Sequence, residues 1–221
     1  MTREELIRNV ALKMDEISSS DDVVVSVHAG DNNPLYAQID GLLNESINEV
    51  LMKAPIYRLN QFITLKTFDV YDSSLIIRYN AAKTRKIAVL ALPYDFLRFI
   101  SITDSIFQRP ITELHFLGDD VDKRQHNKHL IAKEAKPVAV MTGCNNSGEN
   151  AEIHCYSYPT ETQIPNPNLL YICRFNSQDT SSLNDYMIDA VSWVCAGKVF
   201  ATRGDTTNSK TCDENAVAIM I

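Results

Sequence analysis

Glycine is scarce in this sequence, at 7 of 221 residues, and tryptophan occurs once. So few glycines disfavour a fold built around phosphate-cradling loops, and no GxGxxG or P-loop occurs. No GxSxG elbow and no HExxH is present either. An excess of base is also missing: 21 Lys+Arg stand against 28 Asp+Glu, a formal net charge of -7. Proteins that wrap nucleic-acid phosphates draw affinity from Lys and Arg that release counterions. The balance here argues against that task, while leaving a surface that lets DNA slide past without sticking. No stretch reaches the ~18 apolar residues that a membrane span needs. The opening Met-Thr-Arg-Glu-Glu-Leu has no apolar h-region of a signal peptide. The expectation is a soluble chain made in the cytoplasm, with no membrane partner.

Paired cysteine spacing is absent too. The five cysteines, Cys144, Cys155, Cys173, Cys195 and Cys212, include no CxxC. Three sit among apolar or aromatic neighbours, as small hydrophobes in a reducing compartment do. No Cys/His cluster has zinc-ligand spacing, and no cofactor is expected. His154 and Cys155 are adjacent, and neighbours on a strand point to opposite faces, so they do not form a base–nucleophile pair. His126 and His129 lie near Asp119, Asp120 and Asp122. Such a group ligates metal only if folded onto one face, and a solvated polar loop is the simpler reading. Arg203-Gly204-Asp205 spells an integrin-like tripeptide, at a length where chance suffices.

What is present is a change of hydrophobic period along the chain. Residues 2–17 read as a helix with Thr2 and Glu5 forming a capping box and Leu6, Val10, Met14 and Ile17 on one stripe. Residues 22–28 read as a short strand or a buried linker. Asn33 and Pro34 open a second helix, cap and first turn respectively. Its stripe is Leu35, Ile39, Leu42, Leu43, Ile47, Val50 and Leu51, and Ala54-Pro55 stops it. Short β-branched runs then follow at 62–65, 74–78, 86–91, 97–106, 111–116, 137–141, 151–158 and 169–175. Turn residues separate them. Residues 118–135 are polar and form a partly helical surface excursion. Helical spacing returns after Ser182, a cap candidate, with Ile188, Val191, Cys195 and Val199 on one face. Residues 201–207 break it, and a short last helix runs over 211–221.

The fold class is therefore α+β: a small helical bundle with an inserted antiparallel β domain, either a sandwich or a small barrel. The domains are residues 1–58, the N-terminal helices; 59–177, the insertion with its excursion at 118–135; and 178–221, the helices that complete the bundle. Trp193 is expected beside the stripe of the second helix.

One segment narrows the reading. Leu92-Pro93-Tyr94-Asp95-Phe96-Leu97-Arg98-Phe99-Ile100-Ser101 precedes Arg109-Pro110-Ile111-Thr112-Glu113. Pro93 fixes its own φ and biases Leu92 to extended structure, and Asp95 suits a turn. This text resembles the "LPxDFLR" segment of head–tail connector and tail-adaptor proteins of tailed bacteriophages. The ring proteins of crAss-like phages are the subgroup it points to. Residues 124–127 and 136–140 resemble that family's polar excursion and return strand. The resemblance covers most of the chain in outline and about fifty residues as recognisable text. The sequence departs from the family outline at its N-terminus and at 142–150, which leaves open what each end touches.

The resemblance implies a structural virion protein without catalytic residues. Its partners are expected to be further copies in a ring of twelve, the portal protein, the tail or further ring proteins, and genomic DNA passing through without sequence-specific binding. Leu92, Pro93, Asp95, Phe96, Leu97, Arg98, Arg109, Pro110 and Glu113 are then fold-marking. Lys123, Arg124, Gln125, His126, Asn127 and Lys128 are the candidate interface, because mixed charge suits a polar contact that selects its partner. The competing reading is a cytoplasmic hydrolase or transferase working through Cys155 or the Asp119–His129 group.

Overall fold

The computed structural model describes residues 1–17, 34–69, 71–80, 85–127, 129–144, 151–160 and 165–221. The expected segment 22–28, the Asn33 cap and Lys128 lie outside the described residues. The chain divides into two compact units, residues 1–62 with 174–221, and residues 63–173.

The first unit is helical. Helix α1 (Arg3–Ile17) begins with the reciprocal cap expected of Thr2 and Glu5. The Glu5 carboxylate accepts from Thr2 N–H at 2.8 Å, and Thr2 Oγ1 accepts from Glu5 N–H at 3.2 Å. Helix α2 (Pro34–Lys53) buries Leu35, Ile39, Leu43, Ser46, Ile47, Val50 and Leu51. Ser46 is tolerated on that stripe because its hydroxyl donates to Leu42 C=O four residues back at 2.9 Å. Two further helices complete the unit, with a short central one, α3 (Asp120–Gln125), belonging to the second unit. They are α4 (Asp185–Thr202) and α5 (Thr206–Met220).

Helix α4 packs against α1, α2 and α5. Of its residues, Met187, Ile188, Val191, Trp193, Val194, Cys195, Val199 and Phe200 are all buried. A helix that is apolar all round belongs in a core. Gly197 permits the close approach of α5, since a Cβ there would meet Cys212 Cβ at 3.2 Å. Trp193 is buried with the Lys13 ammonium of α1 over its ring, 4.9 Å from the centroid. Asn48 of α2 holds the returning chain, accepting from Phe175 N–H at 2.8 Å and donating to Phe175 C=O at 3.0 Å.

Two boundaries differ from expectation. The cap of α4 is Asn184, whose side chain accepts from Met187 N–H at 2.9 Å, not Ser182. Helix α5 starts at Thr206 rather than 211, because Asp205 caps it by accepting from Asn208 N–H at 3.1 Å. Gly204, at φ +79°, takes the left-handed turn between α4 and α5. Arg203-Gly204-Asp205 is thus a helix–helix turn whose carboxylate is spent on a cap.

The second unit is two facing sheets that do not close into a barrel. The strands are β1 (Ile63–Thr67), β2 (Leu75–Tyr79), β3 (Arg85–Ala91), β4 (Phe96–Thr103), β5 (Leu114–Phe116), β6 (Val138–Cys144), β7 (Ala151–Pro159) and β8 (Asn168–Cys173). One sheet has the order β1-β8-β4 and the other β2-β3-β7-β6-β5. Ile102, Leu169 and Tyr171 from the first share an apolar layer with Ala88, Leu90, Ala139, Ile153, Cys155 and Tyr158 from the second. The pairing is antiparallel with one exception: β5 runs parallel to β6. The intervening segment, which contains α3 (Asp120–Gln125), supplies the crossover that a parallel pair requires. The expected strand over 111–116 is short because Ile111 pairs instead with Ile102 of the other sheet.

A bulge in β7 sets the chemistry of the core. Ile153 and Cys155 face inward, and Tyr156 packs on the opposite face. Strict alternation would turn Tyr158 outward with Tyr156. The register shifts opposite Lys86 and Ile87, and Ser157 takes φ +116°, so Tyr158 turns inward. Its hydroxyl donates to Asp104 at 3.1 Å. Asp104, also buried, accepts from Asn166 N–H at 2.9 Å and Ile106 N–H at 3.0 Å, and so satisfies both loops around it.

Two substitutions test these assignments. Ile47→Asp places an unpaired charge in the helical core at a cost of several kcal/mol, roughly the full stability of a domain. The expected outcome is insoluble or molten protein by circular dichroism, and a soluble, cooperatively melting variant would remove α2 from the core. Ser157→Gly relieves a positive φ that costs a non-glycine residue about 1–3 kcal/mol. It is expected to raise the midpoint of urea unfolding, whereas Ser157→Val lowers it.

Candidate functional site

The fold-marking segment is built into the sandwich. Leu92 is buried and its N–H donates to Ala151 C=O at 3.0 Å. Pro93 starts a tight turn closed by Phe96 N–H on Pro93 C=O at 3.1 Å. Asp95 accepts from the Tyr171 hydroxyl of β8 at 3.0 Å, and Phe96 stacks on the same ring at 5.7 Å between centroids. Burial, then this carboxylate, pushes the Tyr171 phenol above its ordinary range. Asp95 therefore ties the turn to the neighbouring strand, a partner the local sequence does not reveal. Leu97 and Arg98 lie in β4, both half-buried.

Beyond β5, the polar excursion is more ordered than its composition suggests. Gly118, at φ +88°, donates its N–H to the Asp122 carboxylate at 2.8 Å. Asp119 caps α3 by accepting from Asp122 N–H at 2.8 Å. That bond holds the Asp119 carboxyl below the usual carboxylate range. Gln125 then closes the loop: its amide donates to Val121 C=O at 2.9 Å and accepts from Ala132 N–H at 3.0 Å. Ala132 packs with Val140 and Tyr156 on the outer face of the five-stranded sheet, and Ile131 beside it is buried. The excursion is thus fastened down by a small apolar cluster of its own, contrary to the expectation from its polarity. Burial, with the Asp122 carboxylate contributing, pushes the Tyr156 phenol up to about 12.

The candidate interface residues separate accordingly. Lys123, Arg124, His126 and Asn127 are exposed. Gln125 is buried and is engaged within the chain by Val121 and Ala132. Lys123 is occupied by Asp120 at 3.5 Å, and Asn127 turns the chain by accepting from His129 N–H at 3.0 Å.

Beside the clamp, the excursion and the edge of the sheet enclose a cleft of about 500 Å³. Val121, Leu130, Ile131, Ala132 and Val138 supply its apolar lining, with Arg124, Lys133, Lys136, Glu113 and His115 at its polar positions. An adjoining cleft of about 390 Å³ is lined by Arg109, Pro110, Glu113, His115, Lys136 and Val138 among others. Glu113, His115, Lys136 and Val138 belong to both. The structure therefore brings the Arg109–Glu113 stretch to the same surface as Arg124, two places far apart in the text. Arg109, Arg124, Lys133 and Lys136 set four cations against the single anion Glu113. None of the four makes an ion pair among the described residues, whereas Arg3, Lys13, Lys53, Lys66, Arg85 and Lys198 all do.

The groups singled out for chemistry are elsewhere and engaged. Cys155 is wholly buried in the sandwich core, and burial with Asp104 nearby pushes its thiol far above the ordinary range. His154 lies across the strand, 3.2 Å from the Glu152 carboxylate rather than against the thiol. Cys195 and Cys212 are buried as well, with burial raising their thiols to about 11 and about 12. In the Asp119–His129 stretch Asp119 serves the cap, Asp122 the Gly118 turn, and Asp120 pairs with Lys123. Among the described residues no three His, Cys, Asp or Glu side chains are grouped to hold a metal.

Comparison with family models and with curated proteins finds no match to this chain.

Gln125→Leu leaves Ala132 N–H without its acceptor, at about 1–3 kcal/mol for a buried donor. Amide exchange over residues 129–136 is expected to accelerate while exchange in α4 stays as it was. Unchanged protection at Ala132 would show that the clamp does not hold the excursion.

Proposed function

We propose that this chain is a structural, self-associating protein rather than an enzyme. More particularly, it is a virion subunit of the connector ring between portal and tail of a tailed bacteriophage, of the crAss-like kind. The observation that carries the first step is the apolar, cation-rimmed surface where residues 109–113 meet the excursion. Unpaired cations around an apolar floor suit a protein contact, because the charges select the partner and the floor supplies buried area. The second step rests on the resemblance of residues 92–113 and on the segment's role as fixed scaffold around Asp95 and Tyr171.

In this reading copies contact one another head to tail, a heterologous arrangement that closes into a ring when the rotation per subunit permits. The portal and the tail or a further ring take the two axial faces. Genomic DNA passes through the centre, where a formal charge of -7 per subunit keeps it from adhering. Among the described residues no helix is long and apolar enough to cross a membrane. The protein is then made in the host bacterial cytoplasm and ends in the virion.

Sedimentation velocity across a concentration series, followed by negative-stain imaging, tests this directly. Closed rings of about the family's twelve copies are the expected product. A strict monomer that turns over a hydrolase or transferase substrate, and loses turnover in Cys155→Ala or His129→Ala, would replace this reading with the enzymatic one.

A further inference from the structure

Two exposed surfaces of this chain carry opposite charge patterns around an apolar centre. The first is the cleft beside the excursion. Arg124 and Lys136 form no ion pair among the described residues, and Glu113 is the one acidic residue of the lining. Leu130 is 58% exposed there, next to the buried Ile131. The second is the outer face of helix α5, which buries Cys212, Ala216 and Met220 and packs against α4. At 3.6 residues per turn, Asp213, Glu214 and Val217 fall together on the arc facing away from that buried stripe. All three are exposed, Val217 at 48%. Lys210, one turn earlier and also exposed, is the only basic residue of α5. We infer that the outer face of α5 of one copy docks in the cleft of a second copy. Asp213 and Glu214 meet Arg124 and Lys136, Val217 covers Leu130, and Lys210 answers Glu113.

The complementarity is one of both charge and polarity. An amphipathic helix enters a groove through residues spaced three and four apart, and Val217 stands so spaced from Glu214 and from Asp213. The contact has little to break first. On the helix, Lys210 reaches Glu214 only at 3.9 Å, between side chains 80% and 68% exposed, and such a pair contributes little in water. Both backbones are already in place, the cleft through Gln125 and α5 through its Asp205 cap and the close approach at Gly197, so only side chains order on binding. Helix α5 lies within residues 174–221 and the cleft within 63–173, so the two surfaces differ and the contact is heterologous, able to propagate from copy to copy. The inference rests on the self-association proposed above and names the two surfaces that make it.

A charge exchange tests it. One variant carries Arg124→Glu with Lys136→Glu, and the other carries Asp213→Lys with Glu214→Lys. All four positions are exposed, and matched thermal melts verify folding. If a double variant melts early, the neutral pair Arg124→Gln with Lys136→Gln, or Asp213→Asn with Glu214→Gln, replaces it and is expected to weaken assembly in the same direction. Sedimentation velocity of the full chain at low salt is the readout. Each charge-reversed variant alone is expected to need at least about tenfold more protein to assemble than the parent, because like charges then face each other. An equimolar mixture is expected to assemble like the parent, since every junction between unlike variants regains one acidic and one basic side. Assembly of the parent should also weaken as salt rises, since the screening length shrinks from about 10 Å at 0.1 M to about 3 Å at 1 M. Variants that assemble as the parent does, or a mixture that stays dispersed, overturn the docking inference alone. A parent that stops at a closed pair, with the exchange behaving as expected, keeps the docking and removes the ring. A parent that remains monomeric at every concentration overturns both.

Discussion

Helix α4 buries twelve of its eighteen residues, so it cannot be stable as a surface helix. Its apolar residues must be covered from several sides at once, and the helices that cover it come from both ends of the chain. Residues 1–62 and 174–221 are thereby committed to one unit despite 111 intervening residues, 63–173. An insertion of that size is compatible with the helical unit only if its ends lie close together. Both units meet this condition independently. Within the sandwich, Ile63 of β1 sits opposite Ile172 of β8, so the inserted chain departs and returns on adjacent strands. Within the helical unit, Phe62 and Phe175 are in edge contact, 6.4 Å between ring centroids, and Asn48 grips Phe175 by both backbone groups. Loop-closure entropy grows slowly with length, so once the ends are fixed the size of the insertion costs little.

The sandwich has a comparable dependence on a single irregularity. Without the bulge at Ser157, the Tyr158 hydroxyl would leave the buried Asp104 without that donor, and the phenol would crowd the face that the excursion covers. Burying a carboxylate is tolerable when several donors surround it. Asp104 has backbone donors from Ile106 and Asn166 and a hydroxyl donor from Tyr158. The opposite face of the same strand then stays free for Tyr156 to pack with Ala132, which is how the excursion gains an anchor.

Much of this architecture is legible in the text because periodicity reports burial directly. The stripe of α2, the capping box at Thr2 and Glu5, and eight short strands can each be read from neighbours in sequence. What cannot be read is fixed by partners distant in sequence or by competition between nearby polar residues. Ser182 and Asn184 are both good caps, and only the helix register chooses Asn184. Asp205 looks like part of a breaker until its side chain is seen to start α5. The parallel pairing of β5 with β6 depends on a crossover whose composition reads as surface loop. Gln125 reads as a solvated helix residue, yet the amide of Ala132 seven residues later draws it inward. The placement of Arg109 and Arg124 on adjoining clefts has no local signal at all.

The same clamp explains why a surface contact here can be specific. A mobile polar loop would lose conformational entropy on binding, and its charges would adapt to many partners. The excursion is instead fastened by Asp119 at its cap, Gly118 at its turn, Gln125 at its return and Ile131 and Ala132 beneath. Arg124, Lys133 and Lys136 are therefore displayed from backbone that is already in place, and only their side chains need to order. Glu134, the acidic neighbour of Lys133, pairs with Arg85; against the raising effect of burial, its own backbone N–H, then Arg85 and then Lys133 lower its pKa. Among the described residues Arg124 and Lys136 form no ion pair, so this cleft of a net-acidic chain keeps cations in excess over Glu113, its one acidic lining residue.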